Sequence, residues 1–189
     1  MSVATAVATG MRGAVFLALG RAEGGGMVEN DRRAVIRSFW AIPLCLPAIM
    51  GLRLLDWSQS SRVPKVSLAM AQGRFLAQFL VSWLLFVVIS HALATRLGKQ
   101  PAWPRFIAVW AYCSVIENTL VAIGSLPGPL GAPAIVSEVA LLVCIGWAFW
   151  LEWYATRLTL NVGALTAVVF VVVDLALGEA MAALGAIAG

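Results

Sequence analysis

Arg105–Leu126 reads RFIAVWAYCSVIENTLVAIGSL. A helix needs about 20 apolar residues to cross the hydrocarbon core of a bilayer, and this stretch is long and apolar enough. It also carries Glu117 and Asn118 near its middle. A carboxyl at that depth is costly and rarely faces lipid. The segment therefore needs other helices packed around it, and the rest of the chain supplies them.

Going back toward the N-terminus, a second apolar run covers about Arg74–Ala94 and includes FLAQFLVSWLLFVVISHALA. A third covers about Ser38–Leu55, with Pro43 and Pro47 inside it, which predicts a kink. Toward the C-terminus, runs at about Ala134–Trp153 and Ala164–Ala186 follow. Gly124–Pro133, GSLPGPLGAP, has no charge and reads as a compact hairpin between two spans. The runs are continuous rather than alternating with period two, which argues against a β-barrel. The predicted fold is all-α: a polytopic membrane helical bundle with five transmembrane helices at about 38–55, 74–94, 105–126, 134–153 and 164–186.

Residues 1–37 precede these spans. Met11–Gly20, MRGAVFLALG, predicts a short amphipathic helix in the head-group region. Gly24–Gly26 reads as a break, and Asn30 or Asp31 as the cap of the next helix. Arg32, Arg33 and Arg37 form a basic collar. In the 56–72 connection, Pro64 is placed to start the helix that enters the second span.

Composition agrees with a membrane domain. The 189 residues are 61% hydrophobic and 12% charged, where a soluble domain has about a quarter charged. Every Lys and Arg except Arg157 lies at or before Arg105. In a chain this apolar, such charge points to anionic lipid head groups rather than to nucleic acid. Nine Lys and Arg fall on the N-terminal side of the membrane and four on the other. This predicts a cytoplasmic N-terminus and an external C-terminus. Residues 1–20 do not read as a cleaved signal peptide. Cys45, Cys113 and Cys144 lie within spans, with no CxxC, and read as small buried hydrophobes.

Depth can be counted at about 1.5 Å per residue. Glu117 and Asp174 both fall roughly 18 Å from the inner edge, Glu138 roughly 6 Å below the outer edge, and Arg53 roughly 22 Å from the inner edge. The candidate site is thus an intramembrane polar cluster of Arg53, Glu117, Asn118, Glu138 and Asp174. Two readings stay open for it. One is a proton or cation path with Arg53 as counter-ion. The other is a structural cluster whose carboxyls hydrogen-bond across helices to Asn118, Ser114 and Arg53.

No catalytic, metal or cofactor site is predicted. HExxH, GxSxG and P-loop patterns are absent. His91 is the single histidine, which excludes bis-histidine haem ligation. Ser125 follows a span with no base nearby, and His91 reads as interfacial. Trp147, Trp150 and Trp153 read as an interfacial belt or a packing surface. GEAMAALGAIAG at Gly178–Gly189 is rich in small residues, which lets helix backbones approach; Gly185 and Gly189 have GxxxG spacing.

RSFWAIPLCLP at Arg37–Pro47, RFIAVWAYCSVIEN at Arg105–Asn118, WYATRLTL at Trp153–Leu160 and VVVDLAL at Val171–Leu177 resemble the Yip family, the Ypt/Rab-interacting membrane proteins, in its bacterial branch. The likeness covers nearly the whole chain from residue 11. It implies five spans behind a cytoplasmic N-terminal segment, a bacterial inner membrane and a non-enzymatic role. Eukaryotic members act as scaffolds in vesicle traffic; the long N-terminal arm expected of them is short here. The functional expectation is a scaffold, assembly factor or accessory subunit with a membrane-protein partner or a homo-oligomer. The alternative is a small oligomeric proton- or cation-linked transporter or channel. A membrane enzyme acting on lipid or quinone is a third, weaker reading.

Overall fold

The computed structural model describes residues 2–59 and 67–187. Eight α-helices follow in order: α1 (Val3–Ala18), α2 (Glu23–Gly26), α3 (Arg32–Ser38), α4 (Ala41–Gln59), α5 (Leu68–Arg96), α6 (Trp103–Gly124), α7 (Ala134–Leu160) and α8 (Ala164–Ile187). No strand occurs among the described residues. The last five helices, with α3 continuing into α4, are long and apolar enough to cross a membrane. The chain is a multi-pass membrane protein. Arg62, Pro64, Lys65 and Gly189 lie outside the described residues, so the helix start placed on Pro64 and the GxxxG spacing do too. Within those residues α5 begins at Leu68, and Ser67 caps it.

α6 is the hub. α7 runs antiparallel beside it, and α4, α3 and α1 pack on its other sides. α8 lies against α7 and α5. Phe106 through Val115 are all buried, the most continuous core in the molecule. Ala108 and Ala111 let neighbouring backbones come close, and large rings fill the wider gap toward α5 and α8. Phe86 stacks on Trp110 with centroids 4.4 Å apart. Phe106 meets Phe170 edge-on at 5.4 Å, and Trp83 lies 5.0 Å from Trp110. Aromatic pairs in these tilted and offset arrangements add to the burial of their area.

Two parts of the N-terminal segment differ from their sequence reading. The first helix begins at Val3 and buries Ala6, Gly10, Ala14 and Leu17 against the bundle. Gly24–Gly26 is a helical turn, not a break. The glycines serve close approach instead: a Cβ on Gly24 would collide with the Gly13 carbonyl, and one on Gly10 with the Tyr112 ring. The C-terminal end of α1 is tied to α7. Trp147 Nε1 donates to the Ala18 carbonyl (3.1 Å), and the Tyr154 hydroxyl to the Gly20 carbonyl (3.0 Å).

Asp31 is the cap of α3, accepting from the Ala34 amide at 2.7 Å. Asn30 instead clamps the start of α6, donating to the Pro101 carbonyl and accepting from the Arg105 amide. Arg105 Nε donates to the Val28 carbonyl, and Arg37 pairs with Glu29 at 3.3 Å. These contacts define a collar end of the bundle. The opposite, hairpin end is the 125–133 connection. Pro47 sits inside α4, and the break falls before it, at Phe39–Trp40 between α3 and α4. α7 runs seven residues past Trp153, to Leu160, where Asn161 ends it in the left-handed region (φ 49°). At 27 residues α7 is roughly 40 Å long, more than the hydrocarbon thickness of about 30 Å.

Candidate functional site

The five residues expected in one cluster divide between two places. Glu117 and Asp174 lie near enough for their charges to act on each other. Arg53, Asn118 and Glu138 line a separate cavity near the hairpin end. Counting residues along a helix gives depth but not the direction a side chain points. Glu117 and Asn118 are neighbours on α6, so they point about 100° apart, a consequence of 3.6 residues per turn. Trp110 lies two turns before Glu117 and shares its face, toward α8. Trp110 Nε1 donates to Asp174 Oδ2 at 3.3 Å.

A third carboxyl, Glu152 of α7, joins Glu117 and Asp174. The three lie near enough for their charges to act on one another. Glu152 is 5% exposed. The Oε1 atoms of both Glu117 and Glu152 are buried and have no hydrogen-bond partner among the described residues. The sequence reading ended the fourth span at Trp153 and so left Glu152 at a boundary. The available signal was spacing: Glu152, Thr156 and Thr159 fall on one helical face, and all three are buried. Among the described residues no three His, Cys, Asp or Glu side chains are arranged to hold a metal ion. The trio can instead share protons, since a protonated carboxyl donates one hydrogen bond and a second carboxyl accepts it.

The expected cross-helix bonds to Asn118 and Ser114 are replaced by bonds within α6. Asn118 Nδ2 donates to the Ser114 carbonyl (2.7 Å) and Ser114 Oγ to the Trp110 carbonyl (3.0 Å). Short polar side chains in apolar helices often satisfy themselves this way, on the carbonyl one turn back.

The second place is a cavity of about 550 Å³ between α4, α5, α6 and α7. The Arg53 guanidinium lies over the Phe75 ring, 4.0 Å from its centroid. That packing sets Arg53 against α5, on the lining of the cavity. Glu138 is exposed, on the α7 wall of the cavity, with Ser137 and Ser125 nearby on its lining. Ser125 Oγ donates to the Val121 carbonyl.

The remaining singled-out residues pack. His91 meets Trp103 edge-on at 4.8 Å, and Trp103 Nε1 donates to Ser90. Trp150 stacks on Tyr154, and Trp153 Nε1 donates to the Ala164 carbonyl. The three cysteines are free thiols, Cys45 and Cys113 buried. One residue passed over in the sequence stands out: Glu179 of α8 is exposed although it lies within a span, beside exposed Gly178, Ala180, Ala182 and Ala183.

No protein-family model matches the chain, and neither a curated protein nor a solved structure is significantly similar to it.

Proposed function

We propose that this is a non-enzymatic membrane protein that works by contact, as a scaffold, assembly factor or accessory subunit of a larger membrane complex. We place it in the bacterial inner membrane with its N-terminus in the cytoplasm, on the strength of the charge distribution and the Yip-like segments.

The observation that carries the reading is Glu179. It lies within the apolar span Ala164–Leu184, five residues and roughly 8 Å from its C-terminal edge, and is exposed. Ionisable side chains within a span almost always face protein or a water-filled cavity. The residues around it are small, which favours close approach of another helix. A second polypeptide covering this face gives the carboxyl a protein environment.

Native mass spectrometry after gentle extraction tests it. The expected result is a stoichiometric complex with a different membrane protein, lost in Glu179→Leu while the subunit keeps its melting temperature. A lone monomer, or a homo-oligomer, removes the accessory role.

The second reading is a small proton-linked transporter, favoured by the trio Glu117, Glu152 and Asp174 with its two unpartnered oxygens. Flux in proteoliposomes, abolished by Glu117→Gln and Asp174→Asn in variants that stay folded, supports it. Variants that only lose stability make the trio structural.

A further inference from the structure

The cavity near the hairpin end carries one basic and one acidic side chain on facing walls, among apolar residues. Glu138 is the fifth residue of α7, roughly 6 Å in from that helix end. Arg53 lies six residues before the end of α4, roughly 9 Å in. Ser137 and the hairpin residues Gly128 and Pro129 line the rim. Ile49, Phe79 and Leu141 line the deeper wall. Arg53 and Glu138 thus lie nearer the hairpin end than Ile49 and Phe79, the order of head group and acyl chain along a phospholipid, with Leu55 beside the charged pair. The volume, about 550 Å³, is within the range of roughly 300–1,000 Å³ that ligand sites occupy.

The charges select among lipids. One wall offers a guanidinium and the other a carboxylate. A planar guanidinium with five donors suits the oxygens of a phosphate. Phe75, on which it rests, fixes its plane. An exposed carboxylate suits a group that is cationic and has N–H donors. We propose that this cavity holds one zwitterionic phospholipid carrying a primary amine, a phosphoethanolamine head group set between Arg53 and Glu138 with acyl chain along Ile49 and Phe79. A choline head group has no N–H to give Glu138, and a glycerol head group has no cation. The proposal is independent of the partner reading, because among the described residues none of α8 lines this cavity.

The test uses the full chain in nanodiscs of equal POPE, POPC and POPG, released for native mass spectrometry. The expected result is one retained POPE, favoured over POPC by about tenfold or more, the factor that one charge-assisted hydrogen bond supplies. Glu138→Gln, at an exposed position, is expected to erase the POPE-over-POPC preference while leaving lipid bound. Arg53→Gln is expected to lose both lipids; Arg53→Lys keeps the charge and part of the binding if the Gln variant does not fold. Val172→Ala on α8, away from the cavity, is expected to change nothing. Retention of no lipid, equal retention of all three, or a preference unmoved by Glu138→Gln overturns the proposal. So does a protein segment cross-linked into the cavity in native membranes.

Discussion

The two halves of α6 differ. From Phe106 to Val115 every residue is buried, whereas beyond Val115 only Gly124 is. The first half is wrapped by the N-terminal helices as well as by α4, α7 and the rings of α5 and α8. The second half has α7 on one side and an open cavity on the other. One apolar helix of uniform composition thus serves as the core of a compact unit at the collar end and as the wall of a groove at the hairpin end. The polar residues sit at the boundary: Glu117, two residues past Val115, is within reach of the Glu152 and Asp174 charges, and its neighbour Asn118 lines the cavity.

Substitutions can break or sharpen that contrast. The largest effect is expected from Phe106→Ala, which empties a fully buried aromatic site touching Phe86 and Phe170. A loss of about 3–5 kcal/mol, the range for truncating a packed Phe, is expected in denaturant titration of the purified chain. A loss below about 1 kcal/mol would mean that the closed half is not a packed core.

Gly10→Ala comes next, because the added methyl meets the Tyr112 ring. Overpacking of this kind costs about 1–3 kcal/mol. Restoration of the melting temperature by a second change, Tyr112→Ala, would show that α1 contributes to the core through this one contact.

The smallest effect is expected in the open half. Phe79→Ala removes a half-buried ring from the cavity wall. Its neighbours can relax into the space, so the stability change is expected to stay under about 1 kcal/mol. A loss as large as that of Phe106→Ala would abolish the distinction between the halves.

The bundle itself was legible in the sequence because hydrophobic run length is a one-dimensional property. So was the cap at Asp31, which needs only its local neighbours. Azimuth was not legible. Arg53, Glu117 and Asp174 fall at comparable depths when counted along the chain, yet Arg53 packs on Phe75 and Asp174 takes its hydrogen bond from Trp110. Glu152 was hidden by a different confusion. Trp153 has the chemistry of an interface anchor, but here its indole donates to the Ala164 carbonyl and the helix runs on. Gly24 reads as an interruption because glycine lowers helix propensity; its use depends on a backbone contact with Gly13, which no local pattern reveals.

The ties between α1 and α7 also bear on how the chain is made. Ala18 and Gly20 meet partners 129 and 134 residues further along. At translation speeds of about 5–20 residues per second, α1 leaves the ribosome roughly ten seconds before Tyr154 exists. During that interval these two carbonyls lack their α7 donors, whereas α2 and then α6, which pack on α1, already exist. α1 therefore docks in stages, on α2 and α6 first, and its tie to α7 completes the collar end last.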